Sequence, residues 1–162
     1  MKSKTFLTFH YALLALILLL ALGLAVKPAY ADTGGGTGTL IAEGDGLAGL
    51  IGDGEITLSG NGGLWIKDAA GDAVIEISGR GQAQELRNGW VQYMGFNGEA
   101  HVTGSHISVV LSGVDISVEA SGTGRFFLRG SGWYEVNGQR YDWTPDLTVI
   151  SIGEPVEIAP AP

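Results

Sequence analysis

A glycine–any residue–glycine triplet returns every eight residues early in this chain, at Gly44/Gly46, Gly52/Gly54 and Gly60/Gly62 within GDGLAGLIGDGEITLSGNGGLWIKD. Number an octad from its first glycine, as in Gly52-Asp53-Gly54-Glu55-Ile56-Thr57-Leu58-Ser59. The fifth and seventh places are then apolar, and the fourth, sixth and eighth are polar or small. The next octad supplies Leu64 and Ile66. Later ones, with a residue inserted in places, supply Ile75/Ile77, Val109/Leu111, Val118/Ala120, Phe126/Leu128 and Tyr134/Val136. Alternation with period two marks a half-buried strand, and the triplets punctuate it. Helix is excluded, because glycine in a helix costs ~1 kcal/mol relative to alanine and no 3.6-residue stripe survives.

The pattern predicts an all-β chain of roughly ten to twelve short strands. If consecutive strands pair antiparallel across a three-residue Gly-x-Gly loop, place seven faces place five of the next strand, apolar to apolar. A two-residue loop would mix the faces. The third loop place favours a left-handed residue, which suits Gly46, Gly54, Gly62, Gly124 and Gly132. Nothing in this scheme requires the first glycine of each triplet. Asn88-Gly89 is the strongest two-residue hairpin signal, expected to set Leu86 opposite Val91, Gln84 opposite Tyr93 and Arg87 opposite Trp90. Asp68-Ala69-Ala70-Gly71-Asp72 reads as a longer hairpin loop between Ile66 and Ile75. Such a meander must close as a barrel or stack as a sandwich to hide its edges. The alternative is a parallel β-solenoid, in which both glycines of a triplet would serve corners.

The run LSGVDISVEASGTGRFFLRGSGWYEV, from Leu111 to Val136, resembles the Ser-Gly-x-Gly strand repeats of secreted bacterial Gly-rich β-repeat domains of the head GIN (autotransporter adhesin) type. That resemblance implies a β-helix of the solenoid kind. The Asn88-Gly89 hairpin and the aromatic stretch NGWVQYMGFNG depart from the family pattern.

The ends of the chain speak to location. Lys2 and Lys4 precede an apolar run, and Ala29-Tyr30-Ala31 closes it, the parts of a secretory signal peptide over 1–31 cleaved after Ala31. An uncleaved anchor is the competing reading, since Phe6 to Val26 approaches the ~20 residues that a spanning helix needs. After cleavage no membrane span is expected. The product would be extracytoplasmic, in the periplasm or at the cell surface. It would have a Gly-rich leader (32–38), one all-β domain (39–152) and a flexible Pro-containing tail (153–162). About 130 residues suffice for one core without disulfides, and the chain has no cysteine. The whole chain has a formal charge of −8. Export would remove Lys2, Lys4 and Lys27, leaving Lys67, Arg80, Arg87, Arg125, Arg129 and Arg140 as its only basic side chains. A nucleic-acid partner wants a basic stripe and is not expected, and the same charge balance disfavours any other polyanion partner.

Candidate sites are few. Asp45, Asp53 and Asn61 occupy the middle of successive triplets, Asp45 and Asn61 at one end of the sheet and Asp53 at the other. Calcium needs six to eight converging oxygens, and Asp and Asn are also ordinary turn residues. His101 and His106 flank Thr103-Gly104-Ser105. With Glu99 they fall short of a zinc set with its second shell, so no metal or other cofactor is expected. No G-x-S-x-G or H-E-x-x-H motif is present, and no catalytic residue is nominated. Trp65, Phe127 and Trp133 fall on octad places facing away from the core. Outward rings on a sheet suit the stacking of sugars or the anchoring of proteins. The structural alternatives are a second face covered by other strands or the tail, a register slipped by one residue, or Arg125 and Arg129 packing over Phe127. Arg87 opposite Trp90 suggests a cation–π pair. The sequence thus predicts a non-enzymatic, exported domain with a structural or adhesin-like binding role toward a protein or glycan of the cell envelope. Self-association through sheet edges is a variant. A carbohydrate-active enzyme using paired carboxylates and a calcium-stabilised adhesin repeat are the alternatives.

Overall fold

The computed structural model describes residues 38–153. The expected signal peptide with its cleavage point, the leader before Gly38 and the tail beyond Gly153 lie outside the described residues. The fold is all-β: β1 (Gly38–Asp68), β2 (Val74–Glu85), β3 (Val91–Val136), β4 (Gln139–Trp143) and β5 (Thr148–Ile152). Every pairing is antiparallel, with β3 bonded to each of the other four.

Two registers explain how so few, so long strands make a compact body. In the first, Glu85 faces Val91, Ile75 faces Val102, Ile66 faces Val109, Ile56 faces Ala120 and Leu40 faces Val136. These pairs describe one long hairpin, its arms 38–85 and 91–136 and its tip at 86–90. In the second, Ile56 also faces Val102, Leu50 faces Val109 and Leu40 faces Ala120. Ile56 therefore lies between two residues of β3 that are 18 positions apart. Eighteen extended residues would span ~60 Å, whereas the two neighbours of one strand stand only ~9.6 Å apart. The hairpin must circle back on itself. It is wound into a flattened coil, half a turn per octad.

The coil has two layers. The first holds 38–44, 54–60, 74–79, 98–104, 116–122, 132–136 and β4; the second holds 46–52, 61–68, 80–85, 91–97, 107–113, 124–130 and β5. Between them lies one apolar cluster, with Ile56, Leu58, Leu64, Val109, Leu111 and Leu128 each at 0 % exposure. All the fifth- and seventh-place residues expected to point inward are buried except Ile77, which is half-buried, and Ile75, which is 39 % exposed. Both lie on β2, where the coil ends.

The triplets are corners at which the chain crosses from one layer to the other, and this corrects the expected loop wiring. Leu58 pairs with Ala100 and Val118 instead of Leu64. Alternation fixes which face a residue takes, and every octad offers the same face, so the pattern does not choose the partner. Corners of successive turns stack: Gly44 faces Gly132, Gly52 faces Gly124 and Gly54 faces Gly122. A Cβ on Gly44 would run into the Ser131 carbonyl, and one on Gly52 into that of Thr123. Close approach of backbone to backbone is therefore what the first glycine of a triplet serves. Gly54 adds a φ of +140°, which side chains of L-residues avoid.

Other expectations are modified. The parallel solenoid is not adopted, although its use of glycine at corners is. The layers do not close into a barrel, since they end at β2 on one side and at β4 and β5 on the other. The Asn88-Gly89 turn forms one residue out of the expected register. Leu86 N–H donates to the Trp90 carbonyl, Gly89 N–H donates to the Leu86 carbonyl, and Ala83 instead of Gln84 faces Tyr93. Gly89, at φ +80°, is the left-handed third place of a three-residue loop. Residues 69–73 do not close a hairpin between Ile66 and Ile75. They carry the chain to the outer edge of the first layer, with the Asp68 carboxylate accepting from Gly71 N–H at 2.7 Å and Ala73 N–H at 3.0 Å.

Candidate functional site

Because inward and outward places alternate, the outer surface of each layer can be read across its strands. On the second layer one row runs Gln92, Trp65, Val110, Gly49, Phe127, Val149. Trp65 and Phe127 are half-exposed and share this face, separated by Val110 and by Gly49, which has no side chain. The Trp65 ring lies across Gly63, where a Cβ would come within 2.6 Å of it. Its other side opens on a shallow hollow of ≈ 300 Å³ lined by Trp65, Leu86, Asn88, Trp90 and Val110. The flanking rows carry Lys67, Ile51 and Arg125 on one side and Leu47 and Arg129 on the other. Among the described residues, no carboxylate takes an outward place on the paired strands of this layer.

The first layer is the reverse. Glu43, Glu55, Glu76, Glu99, Glu119 and Glu135 all face outward from it, and Glu55 and Glu119 line a hollow of ≈ 400 Å³. Trp133 belongs to this acidic face. Its indole N–H donates to Glu43 Oε2 at 3.2 Å, and the Arg140 guanidinium lies 3.8 Å from the ring centroid. The three sequence-nominated aromatics therefore do not form one surface: Trp65 and Phe127 stand together and Trp133 stands on the opposite side. The expected Arg87–Trp90 pairing is replaced by Leu86–Trp90, because the tip loop is one residue longer than anticipated. Charge segregation escapes composition, since it depends on which octads share a layer.

The remaining candidates sit at corners and on the acidic face. Asp45 Oδ1 accepts Asp115 N–H at 2.8 Å, and Asn61 Nδ2 donates to Asp115 Oδ2 at 3.3 Å, so Asp45 and Asn61 do share one corner. Asp53 lies at the other, its Oδ1 accepting His106 N–H at 2.6 Å. In both cases β3 carries an extra residue with positive φ, Asp115 at 54° and His106 at 50°, and the register shifts by one there. The aspartates in the Gly-x-Gly triplets hold the spare N–H of a β-bulge on the neighbouring turn. Asp72 does the same for Ser105 N–H at 3.0 Å, and that hydrogen bond holds its carboxyl below the usual range.

His101 lies apart from His106, on the first layer. Its Nδ1 is 2.9 Å from Thr57 Oγ1 and its Nε2 is 3.5 Å from Glu55. Among the described residues no group of three or more His, Cys, Asp or Glu is placed to hold a metal ion. Likewise no helix there is long and apolar enough to cross a membrane.

Comparison with protein-family models, with curated proteins and with solved structures gives no match.

Proposed function

We propose that this chain is an exported, non-enzymatic β-domain of the bacterial cell envelope. Its basic–aromatic face binds an envelope component, most suitably a glycan with acidic substituents. The observation that carries this reading is the row Trp65–Val110–Gly49–Phe127, flanked by Lys67, Arg125 and Arg129 without an intervening carboxylate. Two rings three strands apart stand ~14 Å from each other across a sheet, a span suited to a short oligosaccharide instead of one sugar. Aromatic faces stack on pyranose C–H surfaces, and arginine forks hold carboxylate or phosphate. The acidic first-layer face would repel the same ligand, which gives the domain a single binding side. A rigid scaffold holding such a surface fits an adhesin-like or structural role.

The test is retention of the processed chain on purified envelope glycan. Trp65→Ala with Phe127→Ala should weaken retention about ten-fold or more, a loss of ~1.4 kcal/mol. Trp133→Ala should leave it unchanged. Unaltered retention by a folded Trp65/Phe127 double variant removes the basis for the reading. Retention on envelope proteins alone would transfer the face to a protein partner.

A further inference from the structure

The coil is finished differently at its two ends. Toward β4 and β5 the inward places are filled by Trp143, Ile150 and Ile152, all at 2 % exposure or less. Toward the tip the last strand is β2. It is bonded to β3 along one edge, and among the described residues its other edge has no strand beside it. That edge is twelve residues long and bends once, at Gly79 (φ +100°), from the first layer into the second. Ile75 points inward by alternation, yet it is 39 % exposed because no further turn covers it. Long open edges invite another strand. β2 has no proline and no bulky charged cluster, and the extra residue of its one register irregularity, at Arg80/Gln82, belongs to β3.

The coil itself states what the next strand must be. Successive turns pair corner to corner, as Gly60 does with Gly98 and Gly54 with Gly104, in the register that sets Ile56 against Val102. Extended past the tip, that register sets Gly79 opposite Gly79. It also sets Ile77 opposite Gly81 and Ile75 opposite Ala83. The strand that continues the coil is thus β2 itself, read backwards. Its outward places complement one another as well, since Glu76 falls diagonally across from Arg80.

We infer that two copies of this chain join edge to edge through β2, about a two-fold axis passing through the Gly79 corners. Residues 74–78 of one copy run antiparallel to 80–84 of the other. The first layer of each copy then continues into the second layer of its partner, as a two-fold perpendicular to the coil requires. Ile75 is buried against Ala83 of the partner subunit, and the exposed backbone groups of the edge are paired. This association is independent of the glycan-binding reading, because β2 contributes neither Trp65 nor Phe127.

Sedimentation velocity of the processed chain from 1 to about 100 μM tests the inference. The expected result is a concentration-dependent monomer–dimer equilibrium with no larger species formed through β2, since the two-fold pairs the β2 edge of each copy with that of the other. Ile75→Lys, at a site already exposed, should give a monomer with the wild-type circular dichroism spectrum. Arg80→Glu should weaken dimerisation about ten-fold by facing it with Glu76, and Glu76→Arg combined with Arg80→Glu should restore it. A wild-type chain that stays monomeric at 100 μM overturns the inference. So does a dimer that neither Ile75→Lys nor Arg80→Glu weakens.

Discussion

Three glycine-to-alanine substitutions separate the two demands that the corners make on the backbone. Gly71, in the 69–73 connection, has φ +79° and no atom within 4 Å of an added Cβ. Alanine there meets only the conformational penalty of ~1–2 kcal/mol for a left-handed L-residue. Loss of unfolded-chain freedom offsets ~0.4–1 kcal/mol of it, leaving a net cost of ~0.5–1 kcal/mol. Gly52 is the converse. Its φ is not positive, but its Cβ would collide with the Thr123 carbonyl and stand 2.8 Å from Gly124 Cα. Both obstacles are backbone of the adjoining turn and cannot swing aside, so the corners must part by about an ångström, at the upper end of the ~1–3 kcal/mol of overpacking. Gly54 combines a collision with the Ser121 carbonyl and a φ of +140°. The backbone penalty of ~1–3 kcal/mol should add to the steric one, for a total of ~4–5 kcal/mol. Urea unfolding followed by tryptophan fluorescence should show the midpoint falling in the order Gly71→Ala, Gly52→Ala, Gly54→Ala at constant slope. A Gly52→Ala variant within ~0.5 kcal/mol of wild type would refute the stacked-corner account, since steric approach is the only demand at that position.

Three further outcomes are expected. Leu111→Ala, at 0 % exposure between the layers, should lose ~3–4 kcal/mol in the same assay, whereas Ile75→Ala at the open end should lose less than ~1 kcal/mol. Asp53→Ala removes the acceptor of His106 N–H, and hydrogen exchange should show that amide losing protection ahead of its neighbours. Burial, with Tyr141 stacked 5.2 Å away as a lesser cause, raises the pKa of Tyr134. A raised phenol favours the protonated fold, so its contribution is complete below the unfolded value near 10 and disappears as pH rises through the folded one. Alkaline unfolding followed at 295 nm should therefore move to higher pH in Tyr134→Phe.

How much of this was readable in the residues divides along one line. Face is a local property with period two, so the placing of Ile56, Leu58, Val109 and Leu111 in the interior follows from their spacing. Partner is a non-local property. Every octad shows a neighbour the same apolar side, and nothing in GDGEITLS says whether the next strand comes from eight residues away or from fifty. The outward placing of Trp65, Phe127 and Trp133 was legible for the first reason, and their division between opposite sides was hidden for the second. Asn88-Gly89 marks the tip of the hairpin, although the loop is a residue longer than the dipeptide alone suggests. The same rule applied to Asn137-Gly138 would have located the tight turn into β4, where both residues have positive φ, 49° and 83°. The bulges at Asp115 and His106 are written as extra residues between octads, legible as insertions and meaningful only beside Asp45 and Asp53.

The two-armed winding constrains how such a chain can change length. Eight residues added within one arm would advance everything beyond them by half a revolution. Glutamates would then sit where lysine and arginine now stand, and each later corner would meet a corner on the opposite side of the coil instead of its present partner. Growth that preserves the surfaces must enter at the fold of the hairpin, between Asp68 and Val91, where both arms lengthen together. Relatives of this protein should therefore vary in size around that segment, and stay constant in spacing along the arms.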